Sequence, residues 1–466
     1  MKRIASIDLL RALAIIGMVL SGQMLWHSEL PRAMFHAQVP PPTFAFNPEV
    51  PGITWVDLVF PFFLFSMGAS MPLALRRREQ KGATWKVILK NAVHRFVWLA
   101  AFAIILGNTG MYMIKGMMQP WAASLLTLGV WVLFFVMFIR LPKMELKRNA
   151  ILNWSGFFAL ITVTFLYKII GVDVSISHNN IIILILANMA LFGTLFWWLT
   201  RNSLPARIVV IAAIALLKMA SDVEGSWCFN LWHKSPAEWL FRFEFIKYLC
   251  IVLSGTIVGD IIQQKSALNN TGSKDKFRNG WLSLGVIAMI LSTIGVLMWG
   301  LFVREVEITV YLSLALSVAT WFMLRLLKSE HSNTYLQIYT AAMAFLLIGL
   351  IAEPMEGGIK KDPATIGYLF TTSAMAAMVL LAALILELRF NIRFKALEAC
   401  GANPMFAYVA SGYLLTPALT LIGLAPWMVE KMSPSPTMSF VHGVIYTLLV
   451  IGVTYPLTRH NYYWKS

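Results

Sequence analysis

Charge is scarce along this chain. Only 13 % of its 466 residues are Asp, Glu, Lys or Arg, while 58 % are hydrophobic and the mean hydropathy is +0.70. So few polar groups cannot clothe a globule of this size, which excludes the soluble class. Cysteine is scarcer still. Cys228, Cys250 and Cys400 have no metal-ligand spacing and two of them lie inside apolar runs, so no disulfide framework is implied. No Gly-rich phosphate loop of the Walker or dinucleotide type occurs, and no fixed-period repeat is visible. The histidines at 94, 233, 331, 442 and 460 have no partner at i, i+4, and no metal is expected.

What the chain does have is a series of apolar runs of about 17 to 25 residues, the length a helix needs to cross a hydrocarbon core of about 30 Å. Backbone groups in lipid must be satisfied internally, so the expected class is all-α: a polytopic membrane helix bundle. Candidate spans lie near 6–24, 55–75, 91–107, 121–139, 150–171, 180–200, 207–222, 244–263, 281–302, 308–326, 335–353, 367–388, 399–423 and 438–458. The runs 207–222 and 399–423 are short or broken by Gly and Pro and fit a re-entrant or surface-lying piece equally well, so the expectation is about 12–14 spans in one integral domain, 1–466. The opening run carries Asp8 and Arg11 and no small-x-small cleavage site follows it, so it reads as an uncleaved first span. The longest polar piece, 263–280, reads as an internal hinge.

Lys and Arg orient the spans, because short basic loops stay in the cytoplasm. With the N-terminus cytoplasmic, alternate loops carry 26 of the 38 basic residues and the opposite loops carry 8, which makes both termini cytoplasmic and the 25–54 loop periplasmic. The net charge of +16 then belongs largely to a surface facing anionic lipid, and no nucleic-acid partner is implied.

That outer loop is unusual. It runs MFHAQVPPPTFAFNPEVPGITWVDLVFPFFLF over residues 34–65. Pro40, Pro41 and Pro42 predict a stiff extended stretch, with His36 at its start and Asp57 at the head of the next apolar helix. A carboxylate there is costly to bury unless paired. Asp57 reads either as a helix cap or as the partner of a functional group, and His36 either as a solvated loop residue or as that group. His27, in the same loop, is the competing histidine.

The stretch 15–75, with HA at 36–37 and GITWVDLVFPFFLFSMGAS following, resembles the transmembrane acetyltransferases related to heparan-α-glucosaminide N-acetyltransferase, and a bacterial branch of unassigned function. Some similar proteins are named as N-acetylglucosamine-related transporters. The likeness continues in SIDLLRALAIIGM at 6–18, around Arg95, in EGGIKKDPATIGYLFTTSA at 356–374 and in GANPMFAYVAS at 401–411. It implies transfer of an acetyl group from cytoplasmic acetyl-CoA to a glucosamine-type amino sugar or glycan terminus on the periplasmic side of a bacterial inner membrane. The family's active-site histidine corresponds to His36. A family asparagine at the outer end of the first span falls near Ser21-Gly22, where the neighbouring Gln23 is the one amide. Family likeness also extends to homodimerisation.

The residue types suit that chemistry. Acyl transfer to an amine needs a base or a nucleophile, and imidazole serves as either at neutral pH. Asp57 is the carboxylate expected to fix its tautomer. Asn403, Gln38 and Gln23 are the candidate oxyanion or acceptor-binding donors, with helix capping the rival role for Asn403 in GANP. Arg11, Arg76 and Arg95 are candidates to hold the nucleotide end of acetyl-CoA, the same cluster being what positive-inside bias alone produces. Lys360 and Lys361 read as interface snorkelling or as attractors of an anionic glycan or the cofactor's phosphates. Trp227 and Trp232 read first as an interfacial belt and second as sugar-stacking rings. The rival functions are an inner-membrane amino-sugar carrier and a sensor or scaffold. A cysteine introduced into the proline loop should react with a membrane-impermeant maleimide in intact cells; protection there would reverse the orientation.

Overall fold

The computed structural model describes residues 4–235, 237–266 and 280–465. Most of the expected hinge, 263–280, therefore lies outside the described residues. The chain forms helices α1 (Ala5–Gln23), α2 (Trp55–Gln80), α3 (Trp85–Asn108), α4 (Met111–Ile114), α5 (Pro120–Phe138), α6 (Leu146–Ile169), α7 (Ile181–Thr200), α8 (Leu204–Ala220), α9 (Trp227–Trp232) and α10 (Leu249–Ser266). These are followed by α11 (Gly280–Val303), α12 (Val306–Leu326), α13 (Ser332–Ala352), α14 (Ile366–Arg389), α15 (Lys395–Ala402), α16 (Pro404–Val409), α17 (Thr416–Leu421), α18 (Leu424–Met432) and α19 (Pro436–Arg459). One two-stranded ladder joins β1 (Ile139–Arg140) to β2 (Tyr463–Trp464), pairing the chain's last residues with the loop after α5.

Among the described residues, 12 helices are long and apolar enough to span a membrane, and 13 if one bent pair counts as a span. The protein is a multi-pass helix bundle. The two uncertain runs are where the spread arises. α8 has 17 residues, just under the length of a full span. The 399–423 run is interrupted: Asn403 breaks it between α15 and α16, a π-helical turn follows at Ala410–Leu415, and Gly423, at φ +75°, leads into α18. The result is a 97° bend where a straight helix would have continued.

Contacts between loops sort them into two faces. At one face, the amides of Ala5 and Ser6 donate to Glu387, Arg76 donates to the Arg201 carbonyl, and β1 meets β2. At the other, Gly52 donates to Ile359, Leu25 to Ser439 and Lys247 to Pro363. These sets match the charge-rich and charge-poor loops, so both chain ends lie at the basic face.

Burial separates centre from rim. α14 buries 89 % of its apolar stretch and α2 buries 78 %, whereas α6 buries 17 % and exposes Ile151, Phe158 and Phe165, a surface that only lipid tails satisfy. At the centre α2 packs along α10 backbone to backbone. The contact uses small residues: a Cβ on Gly255 or Gly259 would collide with the carbonyl oxygens of Phe65 or Ala69, and one on Gly68 with that of Val252. Gly255 and Gly259 stand four apart, the spacing at which membrane helices approach most closely. Gly255→Ala should therefore cost about 1–3 kcal/mol by overpacking. Gly295→Ala, which meets nothing within 4 Å, should not lower stability. Thermal unfolding in detergent checks the pair.

Candidate functional site at the far face

The loop before α2 is held by its own small core. Met24, Leu30 and Phe35 are buried together, and the rings of Trp26, Phe35 and Phe44 lie with centroids 5.0 to 5.9 Å apart. Phe44 draws the chain back on itself, so the three prolines form a tight turn, closed by the Phe44 amide donating to the Pro40 carbonyl at 3.0 Å, and not the extended stretch expected of them. The loop is nonetheless fixed. It presents His36 where α2 begins.

Asp57 is the hub. It is 1 % exposed, and its Oδ1 lies 2.7 Å from His36 Nδ1. Its Oδ2 accepts from the backbone amides of Ala37 at 3.2 Å and Thr54 at 2.9 Å. The Thr54 hydroxyl, also 3.1 Å from Oδ2, bridges to the Phe35 carbonyl at 2.7 Å. The two readings of Asp57 thus coexist in one side chain: one oxygen closes the N-terminus of α2 and the other holds the imidazole. A carboxylate accepts only, so Nδ1 carries its proton toward Asp57, and in the neutral imidazole Nε2 keeps its lone pair. His27 has no such carboxylate among the described residues; its Nδ1 accepts from the Glu29 amide at 3.2 Å.

A second segment, 353–365, docks on this loop. Lys361 Nζ lies 3.2 Å from His36 Nδ1 and 3.4 Å from Nε2, which places a cation against the ring and not at a distant phosphate site. Lys360 is taken up by Glu49, at 2.7 Å. Tyr368 at the head of α14 donates to the Asp57 carbonyl at 2.7 Å, and Glu356 accepts from the amides of Ile366 and Gly367, fixing where α14 starts. The long-range pairings are not legible in the sequence: Lys361 and Tyr368 stand more than 300 positions from the groups they touch.

Gln38, a candidate oxyanion donor, is taken up within the protein. Its amide donates to the carbonyls of Pro48 at 2.8 Å and Asp362 at 2.9 Å while its oxygen accepts from the Asp362 amide at 3.1 Å, so every proton is committed to clamping the two segments. Asn403 is further away in role and place. It lies at the basic face, donating to the Tyr462 carbonyl and accepting from the Trp464 amide, and pins the C-terminal strand. Gln23 stays at the far face, on the wall of a cavity of about 230 Å³ with Tyr408 and Tyr413. Trp232 is buried edge-on against Phe243, which removes it as a sugar platform, whereas Trp227 is exposed.

The basic candidates divide. Arg11 and Arg95 line one cavity of about 600 Å³ at the basic face, together with Asp8, Ser70, Arg77 and Lys465. Arg11 ties three helices there, donating to the Gly401 and Ser66 carbonyls and to Ser70 Oγ while pairing with Asp8 at 3.4 Å. Arg95 also lines an adjoining cavity of about 200 Å³ beside Arg78 and His94. Arg76 is elsewhere: it meets Asp260 at 3.5 Å and the Arg201 carbonyl at 2.7 Å, in a different cavity.

Helix rise gives the depth between the two ends. Phe63, Met67, Ser70 and Arg77 on α2 all face the 600 Å³ cavity, so it climbs to within six residues of Asp57, about 9 Å at 1.5 Å per residue. His36 is not in its wall.

A family model described as Domain of unknown function (DUF5009) matches residues 3–262, which includes His36, Asp57, Arg11, Arg76 and Arg95. No curated protein matches the chain. Gln38→Ala should leave three half-buried backbone groups unpaired at about 1–3 kcal/mol. Amide exchange read by mass spectrometry should then quicken in both 36–54 and 359–365; unchanged exchange would show that the clamp holds nothing.

Proposed function

The chain belongs to the family described as Domain of unknown function (DUF5009), and on that premise, which supplies no chemistry of its own, we propose that it is a membrane acyltransferase. It moves an acetyl group from acetyl-CoA at the basic, cytoplasmic face to an amino sugar or glycan terminus at the far face of a bacterial inner membrane. The observation that carries the reading is His36 Nδ1 at 2.7 Å from a buried Asp57.

That geometry suits proton transfer. Asp57 orients the ring and favours the imidazolium that forms when Nε2 takes a proton from the attacking amine. The C–N bond then forms at the thioester carbonyl as the C–S bond breaks, and the departing sulfur recovers a proton. The His36 side chain is 34 % exposed, so an acceptor reaches it from the far face. Lys361 beside the ring stabilises negative charge developing nearby. Arg11, Arg77 and Arg95 are of the kind that holds a nucleotide's phosphates, in a cavity within the usual size of a ligand site.

A carrier for the same sugar is the second reading, favoured by a different observation. The 600 Å³ and 230 Å³ cavities stand one above the other along α1, α3 and α16, with Ala14, Ile15 and Phe102 buried between them. Proteoliposomes given acetyl-labelled acetyl-CoA and glucosamine separate the two. Acyl transfer predicts labelled N-acetyl product, lost about 10²–10⁴-fold in His36→Ala. Asp57→Asn should lower kcat more than it raises KM. Sugar uptake without acetylation, equal in wild type and His36→Ala, would assign the carrier.

A further inference from the structure

A further cavity belongs to neither end of the seam used above. It encloses about 950 Å³ between α8, α10, α12 and α13 and contains Arg76 but not Arg11 or Arg95. Its mouth at the basic face carries Arg76, Arg201, Arg207 and Arg325. Two acids answer these four cations: Asp260 is shared by Arg207 at 2.6 Å and Arg76 at 3.5 Å, and Glu79 pairs with Arg201 at 3.2 Å. Arg325 stacks over Trp321 at 3.8 Å and has no acid partner among the described residues. Among the described residues, a surplus of two positive charges stands at the rim.

Below the rim the walls turn apolar. Ile208 and Ile211 come from α8, Ile257 and Ile261 from α10, Ala344 and Ile348 from α13. On α13 the lining runs from Leu336 to Ile348, twelve residues or about 18 Å, slightly more than one leaflet of a 30 Å core. An apolar slot one leaflet deep under a cationic collar is complementary to one kind of molecule, with a phosphate at one end and a hydrocarbon chain at the other.

We propose that this groove is a binding site for an anionic, phosphate-headed lipid of the inner leaflet, its phosphate on Arg325 and Arg201 and its chain between α8, α10 and α13. The proposal is independent of acyl transfer at His36. Two sources share the chemistry: a bulk phospholipid such as phosphatidylglycerol and a polyprenyl phosphate.

Native mass spectrometry of the purified chain, with phosphatidylglycerol, phosphatidylcholine or a polyprenyl monophosphate added, tests it. One phosphatidylglycerol or one polyprenyl phosphate per chain should be retained in preference to phosphatidylcholine; whichever anionic lipid displaces the other names the source. Arg325→Ala should weaken retention about fivefold, the equivalent of about 1 kcal/mol for one cation at a lipid surface. Ala344→Trp should weaken it at least tenfold by filling the slot with every arginine in place. Arg76 and Arg207 are left alone, since removing either strands Asp260. Equal retention of phosphatidylcholine, or retention unchanged in both variants, overturns the proposal. So does a copy-to-copy cross-link through Ala344→Cys without bound lipid, which would give the groove to a second chain.

Discussion

A carboxylate that must not face lipid or apolar protein alone governs the far face of this molecule. Asp57 lies in the first turn of the central helix α2, 1 % exposed, where an unpaired charge would be untenable. The chain supplies partners from three directions: the amide and hydroxyl of Thr54 behind it, the imidazole of His36 and the amide of Ala37 across from it, and the ammonium of Lys361 near the ring. Because the partners come from two segments, satisfying one charge also fixes the loop before α2 and the segment before α14. Gln38 then locks those two segments directly, and Tyr368 ties α14 to the Asp57 backbone. The order of the far face descends from that requirement.

The basic face is built on the opposite sign and the same rule. Buried or half-buried arginines are each given carbonyls, carboxylates or rings: Arg11 spans α1, α2 and α15, Arg207 and Arg76 share Asp260, and Arg201 lies over Trp198 at 3.9 Å. Cations that are over-supplied relative to acids remain at cavity walls. That is where an anionic head group or a phosphate finds its complement.

How much of this the amino-acid string disclosed follows from how local each relation is. The helical membrane class rests on run length and hydropathy, properties of contiguous residues, and it stands. His36 and Asp57 are 21 positions apart on either side of one loop, and a charge at the head of an apolar run advertises its need of a partner. Lys361 advertises nothing of the kind, since its relation to His36 crosses 325 positions. Asn403 reads as an oxyanion donor or as a cap in GANP and here bonds the Tyr462 carbonyl and the Trp464 amide, a tertiary relation no local pattern carries. Arg76 and Arg77 are adjacent in sequence yet point to different cavities, because successive helical residues turn by about 100°. The proline run misled in a simpler way: its stiffness was legible, but the hydrophobic pull of Phe44 toward Trp26 and Phe35 was not.

The glycine contact between α2 and α10 bears on motion. Two backbones lying against each other with no side chain between them have no layer to shear and little room to tilt. α2 and α10 therefore travel as one body, and any opening of the bundle has its fulcrum there. The compliant partner is the stretch on the other flank of α1, where an asparagine break, a π turn and a right-angle corner interrupt the helix between 403 and 424.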